Sequence, residues 1–157
     1  MASSLTRLRA KGRGKPRRFV GLDSEMLKSE QWAQLSPFGK ALMLDLAVQY
    51  NGSNNGDLCA AWSLMRKRGW KSPATLSRAL RELKERGWAE VCRQGGRNRP
   101  SLYSLTIWGI NDCGGKLDVS PNPVPAHRWK ISLSSPHLYS FRPDVYQSLQ
   151  SSKEVTA

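Results

Sequence analysis

Ser72, Thr75, Ser77, Arg78 and Arg81 are spaced so that one short helix would carry them, with Lys71 just ahead of its first turn. Hydroxyls and cations in this density suit the grip of an anionic ligand, because Arg and Lys neutralise phosphate while Ser and Thr hydrogen-bond it. On a helical wheel the face opposite Leu76 and Leu83 carries Ala74, Arg78, Arg81 and Glu85, flanked by Thr75 and Glu82. Its N-terminal half is small, hydroxylic and cationic, with no carboxylate before Glu82. Base edges are read from the N-terminal half of a recognition helix, so this polarity fits a nucleic-acid reader. A solvated face on an ordinary amphipathic helix explains the same residues equally well.

The elements that would position this face are legible. Ser72 is an N-cap signal and Pro73 suits the first helical position. Leu76, Ala79, Leu80 and Leu83 then form an inward stripe that Gly87 terminates. Upstream, Leu58, Ala61, Trp62 and Met65 follow the i, i+3, i+4, i+7 pattern of a first helix. Arg66, Lys67 and Arg68 load its last turn and Gly69 stops it. Only Gly69-Trp70-Lys71 separates the two, the sequence form of a helix-turn-helix. Downstream, residues 88–93 and 101–107 alternate, with Val91 and then Tyr103, Leu105 and Ile107 on their apolar faces. The connector at residues 94–100, QGGRNRP, makes them a β-hairpin with Arg97 and Arg99 near its tip and Arg93 at its base.

From about residue 38 to residue 107 the sequence resembles the winged helix-turn-helix family, in particular the compact modules of bacterial regulators and of phage and plasmid replication proteins. The resemblance is carried by Asn55-Gly56-Asp57-Leu58, Arg68-Gly69-Trp70, residues 72–83, Gly87-Trp88 and the Gly95-Gly96 hairpin. It implies a mainly α fold with a small β-hairpin wing: a three-helix bundle plus a two- or three-stranded antiparallel sheet. It also implies a short strand at Asp57 and Leu58 pairing with the wing. On this scaffold residues 72–86 would enter the major groove of double-stranded DNA, with Thr75 and Arg78 at base edges. Lys71, Ser72, Ser77 and Arg81 would hold phosphates, and Arg97 and Arg99 would meet the backbone or the neighbouring minor groove.

Charge agrees with a polyanionic partner. The formal net charge is +13, from 25 Lys and Arg against 12 Asp and Glu. Residues 1–18 hold Arg13, Lys15, Arg17 and Arg18 among seven cations and no acid, and read as a flexible basic arm tracking the DNA backbone. A solubilising tail and an organellar targeting peptide are the competing readings of that arm. Cys59, Cys92 and Cys113 are odd in number and form no Cys-x-x-Cys pair, so reduced structural thiols are expected rather than a zinc site. No apolar run approaches a membrane span. No cofactor, metal or catalytic constellation is expected, and the compartment expected is the cytoplasm, at a bacterial nucleoid.

Around the reader, residues 24–35 form a short or broken helix that Asp23 caps. Ser36-Pro37 starts a helix running to about Tyr50, with Phe38, Leu42, Leu46, Leu44 and Val48 giving it so wide an apolar arc that it is placed at the centre of the core. Residues 51–56 are a turn cluster. Trp70 and Trp88 clamp the ends of the reading helix, with base stacking an alternative for Trp70. The organisation expected is an arm at 1–18, a domain at 19–112 and a Pro/Ser-rich tail at 113–157. Residues 128–131 and 138–141 are the tail's apolar knots, able to dock on the domain, a second copy or another protein. A homodimer and a protein bound through the tail therefore remain open beside DNA. Regulation of transcription is the first reading of the process. Replication or partition of a plasmid or phage, and a protein-interaction adaptor or inhibitor, are its rivals.

Overall fold

A computed structural model describes residues 18–130. Five α-helices and a two-stranded antiparallel sheet make it a mixed α/β fold with a small hairpin. In chain order the helices are α1 (Ser24–Lys28), α2 (Glu30–Ala33), α3 (Pro37–Ala47), α4 (Trp62–Met65) and α5 (Pro73–Glu85). The strands β1 (Ala89–Arg93) and β2 (Leu102–Leu105) follow.

The helix starts lie where their local chemistry sets them. Asp23 Oδ1 accepts from the Glu25 N–H at 2.9 Å, and Ser29 Oγ from Trp32 N–H at 3.1 Å. Ser36 Oγ accepts from Gly39 N–H at 3.0 Å, with Pro37 opening α3. Each such cap stabilises its helix by about 1 kcal/mol. The helix expected over 24–35 is broken at Ser29, which ends α1 and caps α2.

The core is built where α3 crosses α5 and the hairpin closes over both. Leu42, Met43 and Leu46 from α3 meet Leu76, Ala79 and Leu83 from α5, with Met26, Leu58, Met65, Trp88 and Leu105 filling the remainder. Complete burial of each large side chain contributes about 1.5–3 kcal/mol. Trp88 is sandwiched, stacking on Trp129 at 4.9 Å and meeting Trp32 edge-on at 5.7 Å.

Three expectations need correction. Periodicity at Leu58 and Ala61 suggests a helix from residue 58, but α4 begins only at Trp62 and continues as a 3-10 turn over Arg66–Arg68. Leu58 is instead extended and pairs with Tyr103 of the hairpin, as the family resemblance implies, its N–H donating at 3.2 Å and its carbonyl accepting at 2.8 Å. Backbone pairing with β2 outweighs the local helical pattern there. Second, α3 stops at Ala47, three residues before Tyr50. Third, the wide arc on α3 is only half covered: Phe38, Leu44 and Val48 stay 57, 48 and 45 % exposed.

The sheet is a hairpin with a bulge. Val91 opposes Tyr103 and Arg93 opposes Leu102, so Cys92 is the extra residue. All four residues of β2 are buried, which alternation alone does not predict. The cause is the segment after β2, which returns across the sheet: Asp118 N–H donates to Cys92 O, Ile110 pairs with Asn122, and Arg128 forms an ion pair with Glu90. The strap needs small residues beneath it. A Cβ on Gly109 would lie 2.3 Å from Pro123 O, and one on Gly87 2.9 Å from the Arg128 carbonyl carbon. Its end, Trp129, joins the core, so the knot beginning at residue 128 docks on this domain.

The bulge and strap bury the Cys92 thiol, and desolvation pushes its pKa from an ordinary 9.0 up to about 11, against a lowering hydrogen bond from Ser104. The folded state therefore favours the neutral thiol. Its stabilisation is complete below pH 9 and is lost as pH rises through about 11. Urea unfolding of the native chain and of Cys92→Ala, followed from about pH 8 to about pH 11, should show the native chain losing more stability with pH than the variant. Parallel curves would contradict that burial.

Candidate nucleic-acid interface

The α5 face is built by its cap and by what faces inward. Ser72 is half-buried, and its Oγ accepts from Thr75 N–H at 3.4 Å, leaving the hydroxyl proton free to donate outward. Pro73 fixes the first turn, and Leu76, Ala79 and Leu83 pin the inner side. That orientation turns Pro73, Ala74, Ser77, Arg78, Arg81 and Lys84 to solvent, with Thr75 half-buried beside them. Lys71 is exposed just ahead of the helix.

The approach to α5 is pinned by specific contacts. Gly69 adopts φ 96°, the left-handed conformation that ends the 3-10 turn without strain. Asp45 on α3 then holds both sides of the corner: its Oδ1 accepts from Arg68 Nε and its Oδ2 from Trp70 Nε1, each at 2.7 Å. Trp70 is buried in this corner, so it is a clamp and offers no ring for base stacking. Phe38 packs against it at 6.1 Å between ring centroids. Sequence reasoning missed Asp45 altogether, since its partners lie in a different element.

Electrostatics of the face depend on a second missed contact. Glu82 is the first acid along α5, yet its carboxylate is drawn inward to cap α3: Oε1 accepts from Ser36 N–H at 2.8 Å and Oε2 from the Ser36 hydroxyl. Arg86 lies 3.6 Å from the same carboxylate. Glu85, half-buried, sits at the far end. Lys71, Arg78, Arg81, Arg97 and Arg99 take part in no ion pair among the described residues, so their charge faces outward uncompensated.

The hairpin tip is a tight turn. Gly96 N–H donates to Arg99 O at 2.9 Å and Arg99 N–H to Gly96 O at 3.1 Å, with Asn98 at φ 62°. Asn tolerates that conformation better than other non-glycine residues. Arg97 and Arg99 are exposed there. Arg93 is not at the tip in function: its guanidinium donates to Pro100 O at 3.1 Å and Lys116 O at 3.4 Å, and buttresses the base.

Of the arm, Arg18 alone falls among the described residues, exposed and donating to Tyr50 O at 3.0 Å. Arg13, Lys15 and Arg17 lie outside them. Among the described residues no cluster of three His, Cys, Asp or Glu could hold a metal ion, and no helix is long and apolar enough to cross a membrane. No family model, curated protein or solved structure matches the chain.

Proposed function

We propose that the chain binds double-stranded DNA sequence-specifically as a winged helix-turn-helix protein. In this reading α4 and α5 are the helix-turn-helix and β1–β2 is the wing. The observation that carries it is the solvent-facing side of α5, where Arg78 and Arg81 are in no ion pair while the neighbouring Glu82 is turned aside to Ser36 at the start of α3. A carboxylate left beside Arg81 would repel phosphate and tie up the guanidinium.

Thr75 and Arg78 then face base edges, and Lys71, Ser72, Ser77 and Arg81 face phosphates. An Arg paired to guanine O6 and N7 contributes about 1–3 kcal/mol of discrimination. Arg97 and Arg99 extend the contact to the flanking backbone, and Arg13, Lys15, Arg17 and Arg18 add charge without reading sequence. Regulation of transcription is the process we assign to this binding, at the bacterial nucleoid.

The test is fluorescence anisotropy on mixed-sequence duplex DNA over a range of salt. Affinity should fall steeply, with a log–log slope of about 0.9 per phosphate neutralised. Removing residues 1–18 should weaken binding to every duplex and flatten the slope. A truncated chain with an unchanged slope would take the arm out of the interface. Absence of salt-dependent binding by the full chain would overturn the proposal itself.

A further inference from the structure

The three turns of α3 leave a second surface unexplained. On an ideal helix Pro37, Ala41, Leu44 and Val48 fall within about 60° of one another. All four are exposed, with Leu44 and Val48 about half accessible despite their size. This stripe lies opposite Leu42, Met43 and Leu46, which face the core and α5. It therefore points away from the cationic ridge, and an occupant would leave that ridge free.

No charged side chain stands in the stripe, but cations stand around it. Lys40 flanks one side, half-buried, its ammonium 3.4 Å from Ala33 O and 5.9 Å from the Trp32 ring, with hydrogen-bonding capacity to spare. On the other flank Asp45 is neutralised by Arg68, whose own side chain stays partly exposed. Arg18 lies at the C-terminal end against Tyr50 O. Exposed apolar side chains in a row, rimmed by polar and charged groups, mark an interaction surface, and here the cations outnumber the one acid.

The charge decides among occupants. A second copy docked stripe to stripe would set this rim, where Lys40, Arg68 and Arg18 outnumber Asp45, against an identical net-positive rim. An amphipathic helix with an apolar stripe and carboxylates on both flanks matches apolar to apolar and acid to base. We propose that the exposed side of α3 docks an acidic amphipathic helix of another protein, through Ala41, Leu44 and Val48 with Lys40 and Arg68 on the rim. This surface is independent of the DNA reading.

The experiment uses the full chain and two synthetic labelled helical peptides sharing one Leu stripe, flanked by Glu in the first and by Lys in the second. The Glu-flanked peptide should bind at least about tenfold tighter than the Lys-flanked one, and lose that advantage in high salt. Leu44→Ser with Val48→Ser should weaken it by about tenfold or more while duplex DNA binding and the far-ultraviolet circular dichroism stay unchanged. Lys40→Glu, which leaves the stripe intact, should shift preference toward the Lys-flanked peptide. Failure to bind the Glu-flanked peptide at high micromolar concentration, or equal binding of both peptides, would overturn the proposal. So would indifference to Leu44→Ser with Val48→Ser. Sedimentation showing a dimer that these serines disperse would assign the stripe to a second copy instead. Leu44-dependent binding to anionic vesicles without preference between peptides would assign it to a lipid surface.

Discussion

Asn55→Ala is expected to destabilise the fold by about 3 kcal/mol or more and to lower Tm by upwards of about 10 °C. Asn55 is 0 % exposed, and its side chain is a hub between the turn after α3 and the end of the hairpin. Its Oδ1 accepts from Leu105 N–H at 2.8 Å, and its amide donates to Leu105 O, Trp108 O and Gly109 O at 2.9, 3.0 and 2.9 Å. Its own N–H donates to Asn111 Oδ1 at 2.9 Å. Alanine would leave several buried backbone groups without partners, each costing about 1–3 kcal/mol, in a space closed to solvent. Asn55→Asp keeps the acceptor and removes the donors, and should be at least as damaging because it also buries a charge. Urea unfolding measures both. A midpoint within a few tenths molar of the native one would show that the hub carries no such weight.

Arg78→Ala is expected to weaken binding to a preferred duplex by about tenfold to about a hundredfold, the loss of one bidentate base contact. Binding to random duplex should fall only a few-fold, by one cation. Arg81→Ala should behave differently, lowering affinity for preferred and random sequences alike and reducing the salt slope by about 1. The contrast rests on position: Arg78 lies one turn nearer the N-terminus of α5 than Arg81, and base edges are reached from that half. Anisotropy titrations of both variants on both duplexes separate the two roles. Equal losses for Arg78→Ala on preferred and random DNA would remove it from the base-reading set.

What could be read from the sequence was governed by how local the cause is. Ser36-Pro37 and Ser72-Pro73 carry their helix starts within a few residues, and the structure puts both caps there. The paired glycines between two alternating runs placed the hairpin for the same reason. Leu58 shows the limit. Its helical spacing with Ala61 is genuine, but its backbone is claimed by Tyr103, far along the chain, a pairing that the family resemblance implies and local periodicity does not. Asn55 sits in a run of Asn and Gly that reads as a surface turn, and nothing nearby signals that its side chain fills the core. Glu82 looked like the acid limiting the ridge, and only the fold reveals Ser36 as its partner. On α3 periodicity reported an apolar arc without saying how much of it the domain covers. Trp129 stands out in an apolar knot of Pro-rich sequence, but nothing local chooses this domain over a second copy or another protein as the surface it packs on.

The central claim is that the N-terminal half of α5 lies in the major groove. Methylation interference on a selected duplex tests it most directly, because dimethyl sulfate marks guanine N7 in the major groove and adenine N3 in the minor groove. The account predicts that N7 methylation of one or more guanines blocks binding by the native chain, and that Arg78→Ala abolishes interference at one of them while leaving phosphate contacts in place. Interference confined to adenine N3, or none at any base, would contradict it.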